Sequence, residues 1–275
     1  MPREAARPDT DGTERRPRHL IPNGKLAKRP NGACYHRPVT NVTPPPELHP
    51  ALVLAAWDET PALRGLRLAL PAPVAARHAS PGQVVQARVP GGQAGYFALA
   101  SAPGDLEAEL LVKRGGRIAD ALIAHARPGA SIELTPPIGS GFRLDEATGR
   151  DVLLFAAGSG ITPIRALLRR LLAGGPLQRK VYLFYGQRDG GDFAYAKEHE
   201  GWRRAGVEIL LVASRPGPGW TGATGHVQEA ARRALPAERL SEAVAYVAGL
   251  PAMVAGVRET LAELGVPPER VHENR

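Results

Sequence analysis

Residues 151–172 read DVLLFAAGSGITPIRALLRRLL, and this stretch decides the fold. Asp151–Ala157 is a continuous apolar run, the pattern of a strand buried on both faces of a parallel sheet. Gly158-Ser159-Gly160 ends it, and Ile164, Leu167, Leu168, Leu171 and Leu172 then recur at helical spacing. A strand, a glycine turn and a helix in that order suit a phosphate. The glycines let the backbone approach a pyrophosphate, and the helix N-terminus offers unpaired N–H groups and a favourable dipole. Pro163 fits the first helical turn, where a missing N–H costs nothing. It also stands where the usual dinucleotide fingerprint has its third glycine, which argues against a simple Rossmann dehydrogenase.

Downstream the same rhythm continues. Strands are expected at Val181–Tyr185, Val207–Ala213 and Val244–Ala248, and helices at Tyr195–Arg204, His226–Ala234 and Ala252–Leu264. Alternating strands and helices predict a doubly wound parallel sheet over 149–275. Upstream the pattern is all-β. Leu52–Trp57, Gly65–Leu70, Val84–Val89, Phe97–Ala100, Glu109–Lys113 and Ser131–Leu134 read as short strands. Pro81-Gly82, Pro90-Gly91-Gly92 and Pro103-Gly104-Asp105 punctuate them, and one helical stretch, Ile118–Ala126, interrupts the series. An antiparallel β-barrel over 51–148 is the expected architecture. Residues 1–50, rich in Pro and Arg, bury too little apolar surface to offset their ordering entropy and are expected to form a disordered basic tail.

Composition narrows the chemistry. A single cysteine, Cys34, excludes an intrachain disulfide and a Cys-ligated iron–sulfur cluster, so redox chemistry requires an organic cofactor or a partner's metal. The net charge of +8 is concentrated: residues 1–43 hold nine Lys/Arg against four Asp/Glu. Aromatic residues make up 5% and do not interleave with the basic positions, so nucleic-acid binding is not expected. Neither a signal-peptide core nor a membrane span is evident, and a cytoplasmic location is expected. The eight histidines are scattered, and no metal site is expected.

FAAGSGITPIRALLR (155–169), VYLFYGQRD (181–189) and YVAGLPAM (246–253), set behind a β-domain, resemble the ferredoxin–NADP reductase-like family. The similarity covers about residues 50–273. It looks closest to a little-characterised subgroup of plant and bacterial reductase-like proteins. It implies an FAD-binding β-barrel, an NAD(P)-binding α/β domain, and hydride transfer from nicotinamide to flavin with electrons leaving to an external acceptor. By that resemblance Gly158, Ser159, Gly160, Ile161, Thr162 and Pro163 hold the nicotinamide nucleotide, with Tyr185, Gly186 and Arg188 bordering it. Gly249 and Met253 belong to the C-terminal element of the same site. Ser214 and Arg215 fall where NADP-preferring relatives bind the 2′-phosphate, but the same residues also occur in NAD-preferring ones. Trp220, Gly222 and Gly225 match a structural turn. Phe97, Ala98, Leu99, Ala100 and Ser101 are placed at the flavin, and Gly116, Arg117 and Ile118 nearer its phosphates.

The flavin side departs from the family pattern. The R-x-Y-S element reads Gly95-Tyr96-Phe97-Ala98, so its arginine and serine are replaced. The hydroxyl residue at the phosphate-side helix is missing from Gly116-Arg117-Ile118-Ala119, the C-terminal Cys-Gly is Ala248-Gly249, and Glu273-Asn274-Arg275 stands where many members place an aromatic. These replacements leave a second reading: a reductase-like, nucleotide-binding regulatory or assembly subunit without turnover. A basic N-terminal arm that docks an acidic electron-transfer protein is a further expectation.

Overall fold

A computed structural model of the chain describes residues 46–274. The expected disordered tail, its basic arm and Cys34 lie outside the described residues up to residue 45. The tail's proposed boundary at 50 overlaps a strand, because β1 (His49–Thr60) opens by pairing His49 with Leu134. Pro46–Arg275 form one compact unit.

The first half is antiparallel. After β1 come β2 (Leu63–Ala69), the short helix α1 (Ala72–Ala75), β3 (Val84–Arg88), β4 (Gly95–Ala98), β5 (Glu107–Lys113), α2 (Arg117–His125) and β6 (Ser131–Leu134). The strand order is β4-β3-β6-β1-β2-β5. A bridge between Leu99 and Leu110 joins the two edge strands and closes the sheet into a barrel. Alternation decides what fills it: Ala51 and Val53 of β1 point inward while Leu52 and Leu54 face out. Leu66, Leu68, Val85, Leu110, Ile132 and Leu134 complete the core, with Leu122 of α2 buried among them.

The second half is parallel. β7 (Val152–Ala157), α3 (Ile161–Leu172), β8 (Val181–Gln187), α4 (Ala196–Arg204), β9 (Val207–Ala213), β10 (Ala223–Thr224), α5 (Val227–Ala234), β11 (Val244–Ala248), α6 (Pro251–Glu263) and β12 (Val271–Glu273) follow in turn. The order is β10-β9-β8-β7-β11-β12. Leu154 and Ala156 of β7 enter one core with Ile164, Leu167 and Leu168 of α3 and Trp202 of α4. Leu153 and Phe155 enter the other, with Ala230 of α5 and Leu261 of α6. Apolar side chains on both faces of β7 are what made its sequence a continuous hydrophobic run. Leu63, Ala100, Leu111 and Phe142 of the barrel half join the α3-side core, so the two halves share packed hydrophobic surface.

Candidate active site

The chain runs from β7 outward through β8 to β9, then returns to β11 on the other side of β7. The crevice beyond the carboxyl ends of β7 and β11 is therefore a topological switch point, the place where open α/β sheets bind ligands. Gly158–Gly160 follows β7 and Gly249 follows β11. A cleft of about 1100 Å³ opens there, walled on its far side by the barrel.

The barrel wall forms where β4 and β5 part. Ala100 N–H donates to the Glu109 carbonyl at 2.8 Å and Leu99 bridges Leu110, but no ladder pairs join the strands further along. Tyr96, Phe97 and Ala98 on one strand, with Leu111 and Lys113 on the other, face the cleft. Opposite them stand Gly158, Ser159, Gly160, Thr162 and Pro163, then Gly186, Arg188, Ser214 and Arg215 at the ends of β8 and β9, and Gly249 and Met253. All of these except Tyr96, Leu111 and Lys113 are positions singled out from the sequence.

Several expected residues support the cleft from behind. Tyr185 is fully buried; its hydroxyl accepts from Gln187 Nε2 at 2.7 Å and from the Ala194 N–H at 3.2 Å, and lies 3.4 Å from the Gly158 carbonyl oxygen. Burial pushes its pKa up strongly, so it stays a neutral phenol. Ile161 is in the core. Leu99 and Ala100 are fully buried, and Ser101 Oγ accepts the Glu109 N–H at 3.3 Å. Gly116, Arg117 and Ile118 lie outside the cleft lining. Arg117 donates to Gln93, and the Asp120 carboxylate accepts the Gly115 N–H at 2.9 Å beside the start of α2. Ile118 packs on the barrel core next to Phe97.

Other cleft residues carried no sequence signal. Lys113, Gln187, His226 and Gln228 line it, together with Asn274. Lys113 is the exposed last residue of β5, after five buried positions in a row, so the local sequence marks it only as outward. His226 and Gln228 come from the start of α5, which reaches the cleft because β10 carries the chain back over β9.

Polar groups set the site's preferences. Among the described residues no Asp or Glu lines the cleft, whereas Lys113, Arg188 and Arg215 do. The Arg215 N–H donates to the Arg188 carbonyl at 2.8 Å, which holds these two residues side by side. The Thr162 hydroxyl is buried with no hydrogen-bond partner among the described residues, as is Gln228 Oε1. Unpaired buried polar atoms cost free energy, and a ligand's polar groups remove that cost. The Gly160 Cα faces the Ala248 carbonyl so closely that only hydrogen fits, leaving the turn's backbone open to the cleft. These features fit a nicotinamide nucleotide, and the Tyr96–Ala98 wall offers an aromatic surface for a flavin.

Comparison with known proteins agrees. Residues 154–259 match the oxidoreductase NAD-binding domain family. Ferredoxin–NADP reductase B of Sorangium cellulosum is 33% identical over 197 residues, covering 68% of this chain and 80% of that protein. The chain belongs to the ferredoxin–NADP reductase-like family, oxidoreductases that use FAD and NAD(P)H. Fruit protein pKIWI502 of Actinidia deliciosa, 29% identical, is similar over 70% of the chain, which spans 65% of the length of that relative. Among solved structures, a cytochrome P450 reductase from Amycolatopsis superposes with a TM-score of 0.74 at 26% identity, over 84% of this chain and 71% of the other. No described helix of this family member is long and apolar enough to cross a membrane.

Proposed function

We propose that this chain is an FAD-dependent NAD(P)H oxidoreductase that prefers NADPH and hands electrons to an external acceptor. One observation carries the reading: a single cleft has the glycine turns of β7 and β11 on one side and the Tyr96–Ala98 wall of the barrel on the other. Bound against that wall, a flavin supplies an acceptor for the hydride, two electrons and a proton, that leaves nicotinamide C4. The chain's own part is alignment, which is where hydride transfer gains most from a protein. Gly160 and Gly249 admit the nucleotide backbone, Thr162 offers a hydroxyl to its polar groups, and Arg188 and Arg215 face its phosphates. NADPH preference rests on those two arginines, which have no carboxylate partner among the described residues. An electron-transfer protein such as a ferredoxin is the proposed acceptor.

A specific observation favours the second reading, nucleotide binding without flavin. A Cβ on Gly95 would lie 3.0 Å from Ile118 Cγ2, so the space beside the replaced arginine is filled. The visible spectrum separates the two. Protein reconstituted with FAD should show flavin absorbance that bleaches anaerobically on adding NADPH, and more slowly with NADH. A protein that binds NADP⁺ yet takes up no flavin would establish the alternative.

A further inference from the structure

Arg165 is the least expected side chain in α3: a guanidinium 5% exposed in a helix whose other buried side chains, Thr162 apart, are apolar. Its Nη1 donates to the Ala100 carbonyl at 3.0 Å and lies 3.1 Å from Glu109 Oε1. Its Nε and Nη2 reach Glu198 Oε1 of α4 at 2.9 and 2.6 Å. The guanidinium carbon stands 4.2 Å from the centre of the Tyr195 ring. Tyr195 has a left-handed backbone, φ 60°, and its N–H donates to Glu59 of β1 at 2.5 Å. Glu59 is itself fixed by the Trp57 indole at 2.7 Å.

Two of these contacts have a special place. Ala100 and Glu109 pair their backbones next to the Leu99–Leu110 bridge, the last contact of β4 and β5 before they part around the cleft. Arg165 lies one helical turn after Thr162, a residue that lines the same cleft. One buried cation thus joins the helix that presents the nucleotide turn to the strand junction that shapes the flavin wall. A planar guanidinium can satisfy a carbonyl, two carboxylates and an aromatic face at once; an ammonium cannot.

We infer that Arg165 is a positioning residue for hydride transfer, holding the nicotinamide-binding turn of α3 in register with the flavin-facing wall through Ala100 and Glu109. The inference rests on the proposed reductase function. Misplacement by about an ångström at a reacting pair costs on the order of a hundredfold in rate. Loss of the fork therefore lowers the rate of flavin reduction while leaving ground-state nucleotide binding nearly unchanged.

The test uses FAD-reconstituted full-length protein carrying Arg165→Lys or, as the milder change at a half-buried partner, Glu198→Gln. Stopped-flow reduction gives the limiting rate and the NADPH dissociation constant separately, and NADP⁺ binding to the FAD-free protein gives a readout independent of turnover. The expected result for Arg165→Lys is a limiting rate lowered at least tenfold, with both dissociation constants within threefold of wild type. Glu198→Gln should show the same split with a smaller fall. Hydrogen exchange in the FAD-free Arg165→Lys protein should rise together in α3 and at residues 99–101. Wild-type rates in both variants, or parallel losses in rate and binding, would overturn the positioning role alone. A wild-type flavin that neither nucleotide reduces would overturn the reductase reading and this inference with it.

Discussion

Gly160 and Ala248 are pressed together at the switch point: the hydrogen of the Gly160 Cα faces the Ala248 carbonyl with no room for a methyl group. The contact joins the turn after β7 to the turn after β11, and both line the cleft opposite the barrel wall. A carbonyl cannot rotate away as a side chain can, so the cost of adding a carbon falls on backbone. Gly158, two residues earlier, is constrained differently. Its φ is +59°, and a Cβ there would meet nothing within 4 Å.

These two glycines should fail in distinguishable ways. Gly158→Ala adds only left-handed strain, about 1–2 kcal/mol. Gly160→Ala forces the two turns apart, costs about 1–3 kcal/mol or more in overpacking, and removes nucleotide binding as the cleft deforms. Thermal unfolding and NADP⁺ titration of both variants provide the comparison. Equal NADP⁺ affinities in the two would refute the assigned role of the Gly160–Ala248 contact.

Thr162 offers a cleaner separation of stability from binding. Its hydroxyl is buried and unpaired among the described residues, so Thr162→Val, which keeps the branched shape, should leave stability equal or raise it. In the complex the same change removes a hydrogen bond worth about 0.5–1.5 kcal/mol, or roughly two- to tenfold in nucleotide affinity. A variant that is both less stable and equally good at binding would mean that the hydroxyl serves the fold and not the ligand.

How much of this was legible in sequence depends on whether a residue acts through its backbone or through its side chain. Gly158, Gly160, Thr162 and Gly249 all line the cleft as the sequence suggested, because a strand–glycine–helix turn fixes its own geometry locally. The barrel and the doubly wound sheet were equally readable, since period 2 survives in the burial of β1 and period 3.6 in that of α5, which buries Val227, Ala230 and Ala231. Short edge strands were not: β10 has two residues and β12 three, too few to show a period. Lys113 was missed because its exposure to the cleft arises from the parting of β4 and β5. Arg165 was missed because its partners are 33 and 65 residues away, and a buried arginine in an aliphatic helix has no local signature. Tyr185, expected to border the nucleotide, stands behind the cleft lining, with its buried hydroxyl 3.4 Å from the Gly158 carbonyl oxygen.

Nucleotide choice should follow Arg188 and Arg215. Both reach the cleft, and among the described residues no side-chain carboxylate there competes with a phosphate. Hydrogen bonds to charged groups contribute about 1.5–3 kcal/mol, so Arg215→Ala should weaken NADPH on the order of ten- to a hundredfold. NADH, without the 2′-phosphate, should change by less than about threefold, and the NADPH penalty should shrink as salt screens the wild-type interaction. Equal losses for the two nucleotides would place the arginine at a phosphate they share.

The response to acid should be governed in part by His78. It is buried, neither ring nitrogen has a hydrogen-bond partner among the described residues, and desolvation lowers its pKa, with Asp105 opposing more weakly. His199 is shifted the same way, chiefly by burial, and its Nε2 lies 3.2 Å from the Ala194 carbonyl oxygen. The unfolded chain therefore binds a proton near the ordinary histidine pKa of about 6.5, before the folded chain does. Stability is fully present above that pH and is lost as the pH falls through the folded value. His78→Leu removes one of the two sites and replaces an unpaired polar ring by an apolar group, a change that is neutral or stabilising at neutral pH. Its melting temperature should fall less than that of wild type between pH 7 and pH 5, with the His199 share remaining. Parallel curves for the two proteins would show that the His78 ring takes up its proton in the folded state as readily as in the unfolded one.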